Sequence, residues 1–339
     1  MSLPTRRPPK GVRIVGSGSA LPARSLSNQD LMKVMETSDD WIRQRTGITS
    51  RQVYSPDIGE TTASLATTAI QTALDDAGMN ANELDLIVAA TMTPDMPTPS
   101  VSCQTAAALG CHEIGAFDIN AACSGFVFSL NMVHEYIRGG RARNVALVGV
   151  DTITQFIDYS TYGRGAAILF GDAASAMILK ADDNPDIGMI AESMHSDGHG
   201  GKHLFIPEKP EHFDKPDDYD ERKINCVQMN GQAVFRFAVS KFPALIEATL
   251  KDADLTTEDV QHYICHQANA RILESARDRF GLPEHKLPIN IDRYGNTVAA
   301  SCPLVFDEER RAGNIKDGER IMFLAFGAGL TWGSSLWQL

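Results

Sequence analysis

The chain predicts a layered α/β protein, and three observations carry that prediction. Short apolar runs of strand length alternate with helical patterns from end to end, the mark of central, mostly parallel strands covered by helices. The 339 residues are 43% apolar and 22% charged, enough for a large core. A helix–turn–strand unit also occurs twice. Ala73-Leu-Asp-Asp-Ala-Gly, followed by Glu83-Leu-Asp-Leu-Ile-Val, matches Thr249-Leu-Lys-Asp-Ala-Asp, followed by Asp259-Val-Gln-His-Tyr-Ile, both at an offset of 176 residues. An ungapped match across a loop favours duplication. Two such halves would pack about a pseudo-two-fold axis, with a site where they meet.

The elements follow in order. Residues 1–10 are basic and Pro-rich, a loose tail before a first strand over 12–16; Gly11-Val-Arg-Ile-Val-Gly is too polar and glycine-rich for the apolar region of a signal peptide. Ser38-Asp-Asp-Trp41-Ile reads as an N-cap and an acidic first helical turn. Helices are expected over 61–77 and 100–109, and strands over 84–90 and 117–120. Phe126, Leu130, Val133 and Ile137 then recur at helical spacing until Gly139-Gly140. Strands are expected over 145–150 and 175–179. Residues 181–225 lack periodicity, and 214–220 read as a solvated excursion. A helix over 234–250, a strand over 263–265, a helix over 269–280 and strands over 321–326 and 334–337 complete the chain.

Bulk properties exclude several classes. Lys and Arg total 31 against 43 Asp and Glu, a net charge of −12, which disfavours nucleic acid and anionic membranes as general partners. No apolar run approaches the roughly 18 residues of a membrane span. Cys103, Cys111, Cys123, Cys226, Cys265 and Cys302 are scattered without a C-x-x-C pair, as expected of reduced thiols in the cytoplasm.

The candidate chemistry centres on Gly115-Ala-Phe-Asp-Ile-Asn-Ala-Ala-Cys123-Ser-Gly-Phe. Cys123 falls where a strand turns into a helix, among small residues that leave room for a substrate. Free N–H groups and the positive end of the helix dipole there are expected to lower its pKa; a small buried structural cysteine is the alternative. His266 follows a strand in the second half, and Asn296 sits in the turn Gly295-Asn296; each alone fits a structural role. Together, Cys, His and Asn form a set used in covalent catalysis. Asn cannot take a proton, so His266 and Asn296 look like two hydrogen-bond donors for an enolate or oxyanion. Gly327-Ala328-Gly329 follows an apolar strand and can present backbone N–H groups. His195, His199 and His203 recur every four residues, but Gly198, Gly200 and Gly201 argue against a helix that would align them on a metal.

Six motifs in order make the sequence recognisable: Ser38-Asp-Asp-Trp41-Ile-Arg-Gln-Arg45-Thr-Gly-Ile48, Ala121-Ala-Cys123-Ser-Gly125, Phe170-Gly-Asp172, His266-Gln-Ala-Asn-Ala-Arg271, Gly295-Asn-Thr-Val-Ala-Ala-Ser301 and Gly327-Ala-Gly-Leu-Thr-Trp-Gly333. Over almost the whole chain it resembles the β-ketoacyl-acyl-carrier-protein synthase III family, the initiating condensing enzymes of type II fatty acid synthesis. The resemblance implies a thiolase-like fold of two duplicated α/β halves, residues 1–185 and 186–339, layered α-β-α-β-α, and a cytoplasmic homodimer. It implies that Cys123 takes the acyl group from acyl-CoA, and that His266 and Asn296 hold the malonyl-carrier thioester while CO2 leaves. The N–H groups of Cys123 and Ala328 would form the oxyanion hole.

For CoA, the resemblance implies Trp41 and Arg164 against the adenine, Arg45 near the phosphates, and Gly231 and Asn269 along the pantetheine tunnel. It implies an acyl pocket involving Thr98 and Phe170, and acyl-carrier-protein docking by Arg236, Arg271 and Arg279. No resident cofactor or metal is expected; CoA and the carrier's phosphopantetheine are substrate carriers. Departures are Ala328 in place of a common glycine, Asp278 in place of a common lysine, two extra residues before Arg164, and Thr98 where acetyl-preferring members often carry Phe. The last suggests primers longer than acetyl. The alternatives are a related condensing enzyme of secondary metabolism, a Cys–His–Asn hydrolase, and an acyl-binding protein without turnover.

Overall fold

The computed structural model describes residues 11–213 and 218–339. The expected tail over 1–10, and residues 214–217 of the expected excursion, lie outside the described residues. The first half contains β1 (Gly11–Ala20), β2 (Arg24–Ser27), α1 (Asn28–Leu31), α2 (Asp39–Thr46), β3 (Ser50–Val53), α3 (Thr62–Ala77), β4 (Leu86–Ala90), α4 (Val101–Ala108), β5 (Gly115–Ile119), α5 (Gly125–Arg138), β6 (Asn144–Asp151), α6 (Arg164–Ala167) and β7 (Ala173–Asp182). The second contains β8 (Gly188–Ser196), β9 (Leu204–Phe205), β10 (Gln228–Met229), α7 (Gly231–Asp252), β11 (His262–Cys265), α8 (Ala270–Phe280), α9 (Ile291–Tyr294), α10 (Ser301–Arg311), β12 (Arg320–Gly327) and β13 (Thr331–Gln338).

Two sheets carry the fold. One runs β1-β7-β6-β4-β5 and the other β8-β13-β12-β11. The first three pairings of each follow the same rule: antiparallel, antiparallel, parallel. Among the described residues, only β5 lacks a counterpart in the second sheet. The 176-residue offset extends beyond the repeat seen in the sequence: it also separates the starts of α5 and α10 (Gly125, Ser301) and of β6 and β12 (Asn144, Arg320). The halves are therefore duplicates in structure as well as in sequence.

The expectation of mostly parallel central strands holds for β6-β4-β5 and β12-β11 and fails at β7 and β13, which run against both their neighbours. In each half, the first and last strands run against their neighbours, so the sheets are mixed. Burial on both faces gives central strands continuous apolar runs whatever their direction, so the sequence pattern did not distinguish the two.

Five layers result. α3 and α4 cover one sheet, α5 and α10 lie between the sheets, and α7 and α8 cover the other. Phe126, Leu130, Val133 and Ile137 of α5 are the predicted stripe and are buried against both sheets, each contributing about 1.5–3 kcal/mol. α3 comes down on β1 through small residues: a Cβ at Gly18 would collide with the Ala73 backbone. No helix among the described residues is long and apolar enough to cross a membrane.

Besides several elements of two to four residues, two longer ones escaped the sequence reading. β8 lies inside the stretch read as aperiodic, because its exposed edge mixes Glu192, His195 and Ser196 into a weak alternation. α10 begins among the small residues after Asn296 and carries Pro303 near its start, where the missing N–H costs nothing.

Candidate active site

Cys123 is presented by a sharp reversal. β5 ends at Ile119, one 3₁₀ turn spans Ala122–Ser124, and α5 starts at Gly125. Ala122 takes φ 47°, a left-handed conformation strained for a residue with a side chain. Asn120 Oδ1 supports it by accepting the Ala122 N–H at 3.2 Å. The thiol meets the end of β12, where Gly327 is required by contact: a Cβ there would lie 2.7 Å from that of Cys123. The backbone N–H groups of Cys123 and Ala328 both bond toward the Cys123 sulfur.

His266 follows β11, its N–H bonded to Leu324 O at 2.8 Å and its ring edge-on to Phe326. Asn296 crosses to the first half: its N–H reaches Leu169 O at 2.9 Å, and its carbonyl accepts Gly171 N–H at 3.0 Å. Its side-chain Oδ1 accepts the Val298 N–H at 3.0 Å, which fixes the amide and leaves its NH2 as the free donor. Val298 is also left-handed, at φ 51°. Cys123, His266 and Asn296 are 6%, 1% and 4% exposed and line one cavity of about 460 Å³.

The electrostatics correct one expectation. Burial pushes the Cys123 thiol up to about 12, with the negative charge of Asp151 adding to the rise, while the two N–H groups oppose it. A helix start lowers a thiol's pKa where water or a cation shares the site; here the sulfur is buried at the inner end of a cavity, and desolvation wins. Burial holds His266 neutral, at about 3. Asp151, at the end of β6, is raised to about 7 by burial although it accepts bonds from Met92 N–H, the Thr91 and Thr93 hydroxyls and Ala299 N–H. That last bond ties the first half to the turn after Asn296.

Trp41, Arg45, Gly231, Asn269 and Arg271 line the same cavity. The guanidinium carbons of Arg45 and Arg164 each lie 4.7 Å from the Trp41 ring centroid, so two cations stack on one indole. Arg164 also donates to Glu36 O at 2.6 Å. Asn269 caps α8 and donates to Arg45 O at 2.9 Å. Arg236 and Arg271 are exposed, whereas Arg279 is engaged by Glu247 at 2.8 Å.

Phe170 lines both this cavity and a smaller one of about 30 Å³ beyond Cys123. Thr98 lines neither: it is exposed in the loop before α4. Met92, Ile153, Leu204, Ile206 and Val227 wall the small cavity instead. Its volume equals about two ordered waters at roughly 10–15 Å³ each.

The former metal suspects are apart from this chemistry. His195 lies on β8, stacked on Trp332 at 5.4 Å, and no three His, Cys, Asp or Glu groups gather into a metal-holding set among the described residues. Sequence reasoning missed Asp151, whose signal was a lone acid closing an apolar strand, and Leu204 and Ile206, which carried no signal inside the aperiodic stretch.

Residues 117–198 match the family model described as 3-oxoacyl-[acyl-carrier-protein (ACP)] synthase III, and residues 250–339 match its C-terminal model. The β-ketoacyl-[acyl-carrier-protein] synthase III of Caldanaerobacter subterraneus is 41% identical over 323 residues, covering 95% of this chain and 96% of that protein. The crystal structure of the 3-oxoacyl-[acyl-carrier-protein] synthase III of Aquifex aeolicus is similar with a TM-score of 0.88 at 35% identity, over 97% of this chain and 100% of that one. The priming β-ketosynthase of the R1128 polyketide biosynthetic pathway is similar with a TM-score of 0.89 at 34% identity, over 100% of this chain and 98% of that one.

Proposed function

This chain belongs to the 3-oxoacyl-[acyl-carrier-protein] synthase III family, and we propose from that premise how its residues divide the work of an acyl-transferring, decarboxylating condensation. The enzyme joins an acyl group from acyl-CoA to the two carbons left by malonyl-acyl-carrier protein, releasing CoA and CO2. The observation that carries the assignment of roles is convergence. One tunnel holds a thiol with two N–H groups aimed at its sulfur, a neutral imidazole and an amide with a free NH2.

In the first half-reaction, Cys123 sulfur bonds to the acyl carbon and the bond to CoA sulfur breaks; the proton lost by Cys123 leaves with CoA as its thiol. The N–H groups of Cys123 and Ala328 stabilise the tetrahedral oxyanion. In the second, malonyl thioester enters the emptied tunnel. His266 and the Asn296 NH2 bond its carbonyl oxygen as CO2 departs, and the electron pair of the broken C–C bond forms the enolate. The enolate carbon attacks the acyl-Cys123 carbonyl and expels the sulfur as a thiolate, which takes a proton from solvent to restore the thiol. No side-chain base is needed, since decarboxylation supplies the carbanion, and the reading requires no resident cofactor.

Trp41, Arg45 and Arg164 hold the nucleotide end of CoA, with Gly231 and Asn269 along the tunnel. Arg236 and Arg271 are the docking cations for an acidic carrier; Arg279 contributes less because Glu247 neutralises it. The small cavity at Cys123 and Phe170 takes a short primer as packed. A homodimer is supported by β5, a sheet edge carrying the exposed Phe117, and by the exposed Met132, Tyr136 and Met194. The division at 185/186 is supported by β7 ending at Asp182 and β8 starting in the other sheet at Gly188. Free cysteines at all six positions support the cytoplasm.

The test is sequential. Incubation with acetyl-CoA should add one acetyl mass to the Cys123 peptide, and malonyl-carrier protein should then discharge it as a 3-ketoacyl product with CO2. Cys123→Ala should abolish the mass increment. Release of free acid, or a stable adduct unmoved by malonyl-carrier protein, would favour a hydrolase or a non-turnover binder and overturn the reading.

A further inference from the structure

Ser301 opens α10, which sets its hydroxyl against the His266 ring. Its Oγ has three polar neighbours: His266 Nδ1 at 2.6 Å, Val298 O at 3.1 Å and Gln267 N–H at 3.3 Å. The Gln267 N–H only donates and the Val298 carbonyl only accepts. The neutral ring nitrogen does either. The single hydroxyl proton therefore goes either to Val298 or to His266, and its destination is coupled to the tautomer.

The distances decide between them. A hydroxyl sits about 2.5–3.0 Å from an oxygen it donates to, and an N–H about 2.7–3.2 Å. Nδ1, at 2.6 Å, is the nearer of the two acceptors open to the hydroxyl, and 2.6 Å is short for a ring N–H donating to oxygen. The 3.1 Å contact to Val298 is long for a hydroxyl donor. Nor is that carbonyl left unpaired, because it accepts the backbone N–H of Ser301 itself. The Gln267 N–H fills a lone pair of the same oxygen.

We propose that Ser301 is a positioning residue that donates to Nδ1 and thereby fixes His266 as its Nε2–H tautomer. The inference rests on the reading of His266 as a donor to the malonyl thioester. With the opposite tautomer, Nε2 would present a lone pair to the carbonyl oxygen, and Asn296 would be the one side-chain donor remaining. Ser301 touches no substrate; it acts through the ring.

Nitrogen-15 spectra of histidine-labelled protein read the tautomer directly. Wild type should show an unprotonated Nδ1 and a protonated Nε2 for His266, identified by its loss in His266→Ala. Ser301→Ala should move both signals toward a tautomer mixture, and Ser301→Thr, which keeps the hydroxyl, should not. In the same Ser301→Ala protein, decarboxylation of malonyl-carrier protein should fall at least ~10-fold while Cys123 acylation by acetyl-CoA changes less than ~3-fold. A protonated Nδ1 in wild type overturns the proposal. So does a Ser301→Ala protein that decarboxylates normally, or one that loses both half-reactions equally. If Ser301→Ala does not fold, the wild-type and threonine spectra still decide. Wild type with the expected tautomer but no turnover would count against the proposed function and leave the role of Ser301 standing.

Discussion

The reactivity of Cys123 should climb with pH well past the point where an ordinary thiol levels off. The perturbation is pH alone, and the structure sets the magnitude. A free cysteine with a pKa near 8.5 is a few per cent thiolate at pH 7 and nearly all thiolate at pH 10, a gain of about 30-fold. A thiol at about 12 gains tenfold per unit over the whole interval, or about 1,000-fold. The assay is iodoacetamide labelling of the Cys123 peptide between pH 7 and 10, quantified by mass spectrometry, with the exposed Cys103 controlling for reagent decay. A plot of log rate against pH should be straight, with unit slope. A plateau below about pH 9 would refute the reasoning, because it would mean that the N–H pair and helix start outweigh desolvation in the resting enzyme. A straight line would place their contribution in the transition state, where charge on sulfur and on the thioester oxygen must be held together.

Other consequences can be tested alongside it. Asp172 is fully buried, accepts bonds from Thr154 and Tyr54, and burial raises it to about 7. Its folded pKa exceeds the unfolded value, so its contribution to stability is full below about 4 and is lost as pH rises through about 7. His266, depressed to about 3, works in the opposite sense between about 3 and 6.5. The test is therefore a difference: urea unfolding should show Asp172→Asn gaining stability relative to wild type between pH 5 and 8, and a constant difference would contradict the assignment. Ile206→Ala removes one wall of the small cavity and should shift kcat/KM from acetyl-CoA toward longer acyl-CoAs, roughly 10-fold for the chain that fills the new space; an unchanged ratio would remove Ile206 from the pocket. Trp41→Ala removes the surface on which Arg45 and Arg164 stack and should raise KM for acyl-CoA about 3- to 30-fold with kcat little changed. An unaltered KM would exclude Trp41 from CoA binding.

Much of this architecture was legible in the chain. The stripe Phe126–Leu130–Val133–Ile137 predicted α5, since a helix between two sheets must bury one continuous face. The repeat Ala73/Thr249 predicted the duplicated sheets because pairing follows from the order of strands and crossovers. Strand direction was not legible: Ser175–Leu179 of β7 reads the same whether it runs with or against β6. Edge elements were weak for a related reason, as β8 is solvated on one side and Glu192 and His195 dilute its pattern.

At the site, the sequence exposed the residues but not their electrical state. Cys123 was locatable from Ala121-Ala-Cys-Ser-Gly, yet the depth of the tunnel over it depends on Phe170, Leu204 and Ile206, which come from distant segments. Thr98 shows the converse. Its match to a family position that often carries Phe suggested a pocket role, and the fold shows it exposed within this chain. Ser301 was visible as the end of a motif, but its hydrogen bond to His266 spans 35 positions and exists only once β11 and α10 have packed.

The central claim is the division of labour between Cys123 and the His266–Asn296 pair, and Asn296→Ala tests it most directly. The Asn296 NH2 is a free donor held by the bond between its Oδ1 and Val298. Removing it takes one of two donors from the enolate and none from the acyl-Cys123 oxyanion. Intact-protein mass spectrometry should find Asn296→Ala acetylated by acetyl-CoA at close to the wild-type rate. Addition of malonyl-carrier protein should then discharge the acetyl group 100-fold or more slowly, the cost of one oxyanion donor. Discharge at the wild-type rate, or failure to acetylate in a folded variant, would contradict the account.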